Sequence, residues 1–195
     1  MVDSTGLKVY GEGEWKVRKH GASKRRTWRK LHLAQDVATG ELEAVELTTS
    51  AATDAETVKP LLAQIAHPIC QLGGDGAYDQ VQVYDALEAR QIKPLIPPQS
   101  NAVIWINELG EDLMHPRNET VKLIDELGLA TWKQQSGYHR RSLAETGMFR
   151  WKTLFGERLQ SRLLVNQQVE VRLKAACLNR FTRLGMPKTV KKNSA

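Results

Sequence analysis

Cysteine is scarce in this chain, and long apolar runs are missing altogether. Only Cys70 and Cys177 occur among 195 residues, with no CxxC spacing, which excludes a disulfide-stapled scaffold. Both lie in segments that read as a buried strand and a helix, so reduced core thiols are expected. None of the five histidines (His20, His32, His67, His115, His139) has a Cys or His partner at zinc-like spacing. No apolar run approaches the ~20 residues needed to cross a bilayer. The N-terminus lacks the basic-then-apolar pattern of a signal sequence, so no membrane partner is expected and the chain reads as cytoplasmic. Internal repeats and low-complexity linkers are also absent.

What is present suits one substantial globular domain: 41% of residues are hydrophobic and 26% charged. The net charge of +6 points to a polyanionic partner. Between Trp15 and Gln35 stand Lys16, Arg18, Lys19, Lys24, Arg25, Arg26, Arg29 and Lys30, and no acid. Cations meet phosphates, and Trp15 and Trp28 add rings that can stack on bases. Lys16, Arg18, Lys19, Arg25 and Arg26 are therefore candidate DNA contacts, with a solvated basic loop as the plain alternative.

The order of elements reads as α/β. Leu7 to Tyr10 alternates like a strand, and Arg26–Ala34 and Glu41–Thr48 form a β-hairpin around a loop ending in Gly40. Thr53-Asp54-Ala55-Glu56 matches a capping box ahead of Val58, Leu61, Leu62 and Ile65 at helical spacing. Pro68 to Leu72 is a short apolar run closed by Gly73, Gly74 and Asp75, the pattern of a buried strand carrying a functional acid at its end. A helix follows with Val83, Tyr84 and Leu87 on one side. A further strand covers Lys93 to Pro98, a helix from Glu119 is stopped by Gly128, and a long amphipathic segment from Ser161 ends at Gly185. The domain is expected to span 1–184, with 185–195 a frayed basic tail. Asp36, Asp54 and Asp125 read as turn or cap residues, Asp79 as a helix N-cap, and Trp132 and Trp151 as core.

Tyr138 to Phe155 is the most structured stretch. On a helix, Leu143, Ala144, Met148, Trp151, Leu154 and Phe155 fall on one arc of about 140° that can dock on a core. Tyr138, Arg141, Glu145 and Lys152 gather within about 60° on the other side, either as an ordinary salt-bridged face or as a site. Asp3 in the first strand, Asp75 after the fourth and Glu145 in this helix would cluster if the first and fourth strands neighbour each other in one sheet. Three carboxylates suit Mg²⁺ or Mn²⁺. Two such ions about 3.5–4 Å apart support in-line displacement at phosphorus. Arg141 and Lys152 would then contact phosphates, and Tyr138 would position a flanking phosphate or stack near the cut end.

The spacing Tyr138-x2-Arg141-x3-Glu145-x6-Lys152, together with Asp3-Ser4-Thr5-Gly6 and Asp75-Gly76-Ala77-Tyr78-Asp79, resembles the signature of DDE transposases of bacterial insertion sequences, in order through essentially the whole chain. The resemblance implies a ribonuclease H-like mixed sheet, a β-hairpin plus parallel strands flanked by helices. It implies a catalytic, metal-holding triad of Asp3, Asp75 and Glu145, with Mg²⁺ or Mn²⁺ as cofactor. It also implies cleavage and strand transfer at terminal inverted repeats, double-stranded DNA as partner at element ends and target, a homo-oligomer on DNA, and a bacterial, nucleoid-associated location. Only Met1 and Val2 precede the first aspartate, where the family normally carries an N-terminal region, so a fragment is expected. Two other readings compete: a catalytically inactive DNA-binding remnant, and a structure-selective nuclease that needs the acids alone.

Overall fold

The structure, a computed structural model, describes residues 1–9 and 28–185. Its centre is three eight-residue strands, β1 (Val2–Val9), β2 (Trp28–Gln35) and β3 (Leu42–Thr49), paired antiparallel in the order β3-β2-β1. The fourth strand, β6 (Arg158–Leu159), runs parallel to the end of β1. Successive side chains on a strand face opposite sides, and both sides are covered. Val2, Ala34 and Ala44 pack with helix α1 (Asp54–Ala63) and helix α2 (Val81–Glu88). Leu7, Leu31, Leu33, Val45 and Leu47 pack with helix α5 (Ser142–Phe155) and helix α6 (Leu164–Leu184). The same alternation sets Asp3 on the side of Leu7 and α5, and Ser4 on the side of α1.

Local signals account for the helix boundaries. Thr53 caps α1 and forms the capping box with Glu56, whose carboxylate accepts from the Thr53 amide at 2.8 Å. Helix α3 (Pro116–Leu127) begins on a proline, which needs no amide partner there. It ends at Gly128, whose φ of 80° favours glycine. Helix α4 (Leu129–Gln135) follows, then a 3₁₀ turn, Tyr138–Arg141, leading into α5. Among the described residues, no helix is long and apolar enough to cross a membrane.

The expected pairing of the first and fourth strands does not occur. Strand β4 (Gln71–Gly73) pairs with β5 (Lys93–Leu95) in a separate parallel pair, while β1 is bonded to β2 and β6. Only three residues long and ending in glycine, β4 has little ladder to offer. The Met1 side chain lies against Gly73 and would have to shift to admit a β-carbon there. A cavity of about 530 Å³, lined among others by Met1, Gln35, His67, Cys70 and Arg140, opens along this seam and touches none of the three candidate acids.

Other expectations change in physical detail. Cys70 and Cys177 are exposed thiols, because Cys70 precedes the short β4 and Cys177 lies outside the buried stripe of α6 formed by Gln167, Val171, Ala175 and Leu178. On α5 the buried residues are Ala144, Gly147, Met148 and Trp151, whereas Leu143 and Leu154 are exposed. Trp132 and Trp151 are core, as expected. Asp79 is not an N-cap; Gln80 occupies that position on α2. Asp79 is buried and bonded to Arg117 at 2.7 Å, to the Tyr84 hydroxyl at 3.0 Å and to the Gln99 amide at 3.0 Å. Arg117 in turn lies over the Trp105 ring and donates to the carbonyl of Val103.

This buried pair ties the irregular segment 99–115 to α2 and α3, and removing one partner strands the other charge in a dry interior. Arg117→Ala is expected to cost about 3–5 kcal/mol in urea unfolding, while Asp125→Ala on the exposed side of α3 stays within about 0.5 kcal/mol.

Candidate active site

Three carboxylates from three elements come within electrostatic reach of one another. Asp3 comes from β1, where its Oδ1 accepts from the Ser4 amide at 2.8 Å. Asp75 follows β4 and caps the 3₁₀ turn Gly76–Tyr78, its Oδ1 accepting from the Ala77 amide at 2.9 Å. Glu145 lies in the first turn of α5. Arg141 joins them: its Nη1 donates to Glu145 Oε1 at 2.7 Å and its Nη2 lies 3.6 Å from Asp75 Oδ2.

The electrostatics record the convergence. Burial pushes the Asp3 carboxyl above its ordinary value; the Ser4 amide and the Arg141 charge oppose this, and the negative charges of Asp75 and Glu145 add to it. At Arg141 burial works against the charge, but Tyr138, Asp3, Asp75 and Glu145 together hold the guanidinium more firmly protonated than usual.

The four residues of the Tyr-Arg-Glu-Lys spacing do not share one helical face. Tyr138 and Arg141 sit on the 3₁₀ turn ahead of α5, after Gly137 with φ 74°. Tyr138 is buried: its ring packs 5.6 Å from that of Trp132 in a small cluster with Leu95. The ring is committed to the core and is not a free stacking surface. Lys152 is drawn to Glu157 at 3.4 Å; Glu157 also meets Lys8 at 3.6 Å. Lys8 is five residues from Asp3 along β1, about 17 Å at ordinary strand rise. Lys16, Arg18, Lys19, Arg25 and Arg26 lie outside the described residues, as does Trp15, while Trp28 is half-exposed beneath Lys8.

Two residues around β1 were not assigned to the site by sequence, Tyr78 next to Asp75 and Asp54 on the far face of the sheet. Tyr78 is 1% exposed, and its hydroxyl has no hydrogen-bond partner. A β-carbon on Gly74 would stand 2.6 Å from the Tyr78 ring, so the glycine ahead of Asp75 is what lets that ring pack against the backbone there. Burial first, and then the charges of Asp54, Asp3 and Asp75, push the phenol far up. Asp54, read as a cap, is freed from capping by Thr53. It meets Lys30 at 3.0 Å and the buried His32 at 3.3 Å. Burial alone would raise its carboxyl, but His32, the Ser4 hydroxyl and Lys30 hold it well below the usual range.

As they stand, no three Asp, Glu, His or Cys side chains among the described residues are close enough to hold an ion together. The donor set nevertheless fits a hard divalent cation. Asp3 and Asp75 each commit Oδ1 to a backbone amide, Asp75 Oδ2 faces Arg141, and the negative charge gathered around Asp3 is what such a cation relieves. The elevated Asp3 pKa means that the folded protein keeps this proton to higher pH than the unfolded chain. Its stabilising contribution is full below the unfolded value and is lost as pH rises through the folded one. Asp3→Asn is therefore expected to raise the Tm of the metal-free protein at neutral pH, with the gain vanishing toward about pH 3; thermal unfolding across that range checks it.

No solved structure matches the chain. The family model for the transposase DDE domain matches residues 1–180, an interval that contains Asp3, Asp75, Glu145 and every element from β1 into α6. The chain belongs to the DDE transposase domain family.

Proposed function

We propose that this chain is the catalytic domain of an insertion-sequence transposase, which cleaves DNA at terminal inverted repeats and joins the freed ends to a target. The carrying observation is that Arg141 links Glu145 of α5 to Asp75 at the end of β4, with Asp3 of β1 near enough for all three charges to act on it. The mixed sheet with helices on both faces supports a ribonuclease H-like reading. In this reading the three carboxylates hold Mg²⁺ or Mn²⁺, two ions when fully loaded. Bound there, such ions supply Lewis-acid activation of a water or 3′-hydroxyl and neutralise charge at the phosphorus.

The protein's own groups do the positioning. The amides of Ser4 and Ala77 fix one oxygen of each aspartate. Arg141 and the Tyr138 hydroxyl face the phosphate nearest the cut. Lys152, at the other end of β1, grips the backbone farther along, and the basic stretch from Lys16 to Arg26 adds sequence-independent attraction. A homo-oligomer on DNA would supply a second such site for the second element end.

Purified protein with Mn²⁺ and DNA carrying the element ends is expected to nick and join those ends. Asp75→Ala should reduce this by at least about 10²-fold while costing no more stability than a lost cap, about 0.5–2 kcal/mol. Joining undiminished in Asp75→Ala overturns the proposal. Salt-sensitive binding with no cleavage in any metal identifies the inactive DNA-binding reading, and cutting indifferent to repeat sequence identifies the nuclease reading.

A further inference from the structure

Arg141 occupies ground that a cation shared by the acids needs. Its guanidinium bonds Glu145 and faces Asp75, and its positive charge acts on Asp3 as well. Lys152 does not share this task, being paired with Glu157. Three carboxylates against one guanidinium leave the cluster net negative, so a second cation is drawn to it.

The guanidinium is also poorly anchored for a group so placed. Of its nitrogens, Nη1 has a close partner in Glu145, Nη2 stands 3.6 Å from Asp75, and Nε is buried without any hydrogen bond. A well-seated arginine grips carboxylates through paired, parallel bonds. Arg141 instead spreads between two carboxylates on different elements, and its long side chain can leave without disturbing the backbone of the 3₁₀ turn.

We propose that Arg141 is an exchangeable counter-ion. It holds the acids of the metal-free protein together and is displaced when a divalent cation enters, so that the guanidinium and the ion exclude one another. This rests on the reading of Asp3, Asp75 and Glu145 as the ion-holding set. It makes Arg141 a positioning residue with two addresses. Before loading, its charge sits among the carboxylates. After loading, the same charge is released toward solvent, where a DNA phosphate is its natural partner.

The sign of the effect separates this role from a simple supporting one. An arginine that props the carboxylates in their working geometry strengthens ion binding, whereas an exchangeable one competes with it. Mn²⁺ binding to the full chain, without DNA, is read by the loss of the free-ion electron paramagnetic resonance signal. Arg141→Gln is expected to bind Mn²⁺ about tenfold tighter or more, because one like charge is gone from the site. Its metal-free Tm is expected to fall below that of the unsubstituted protein, and saturating Mn²⁺ should restore it. Arg141→Lys, which keeps a charge in a gentler substitution, should fall between the two.

Arg141→Gln and Arg141→Lys that bind Mn²⁺ no tighter than the unsubstituted chain, while Asp75→Asn loses binding, overturn the exchange and leave the ion-holding set standing. Mn²⁺ binding unaffected by Asp75→Asn overturns both.

Discussion

Like charges brought together from distant parts of the chain are the constraint to which the rest of this structure answers. Asp3, Asp75 and Glu145 repel one another, and folding has to bring them close all the same. At Asp3 burial is the larger cost, and the charges of Asp75 and Glu145 add to it, so its carboxyl holds its proton more tightly than a free one. What offsets the repulsion is local and specific: an amide for each aspartate and one guanidinium spanning Asp75 and Glu145. The balance thus rests on a few named contacts and not on the bulk of the fold.

The scaffold keeps the cluster from flying apart by covering β1 on both sides. One face of the sheet rests on α1 and α2 and the other on α5 and α6, so the strand that carries Asp3 has little freedom to move outward. Trp151, fully buried on α5 two turns beyond Glu145, pins that helix to the sheet. On the opposite face Asp54, Lys30 and His32 tie α1 to β2 directly behind Ser4. The site is thus supported by hydrophobic packing on one side and by a buried polar knot on the other.

The parts legible in sequence are those that local rules govern. The hairpin, the Thr53–Glu56 capping box, the stops at Gly128 and Gly185 and the core role of Trp132 and Trp151 all follow from patterns a few residues long. The Tyr-Arg-Glu-Lys spacing pointed to the right helix but not to its start, because a 3₁₀ turn rotates Tyr138 into the core. Asp79 escaped for a different reason: its partner Arg117 is 38 residues away, and no short pattern encodes a buried pair at that range. The separation of β4 from β1 was hidden as well, since strand neighbours depend on side chains such as Met1 that fill or leave the space between edges.

That seam between β1 and β4 carries a mechanical meaning. Strands joined by a ladder keep a fixed spacing, since any slip breaks several hydrogen bonds at once. Here the two aspartates belong to separate sheets that touch through Met1 against Gly73 and through Val2, Leu72 and Tyr78 in a common apolar cluster. Sliding over such a contact rearranges rotamers and breaks no backbone bond. The spacing of Asp3 and Asp75 is therefore set by side-chain packing rather than by a hydrogen-bond ladder, with the oily contact beneath them as its bearing.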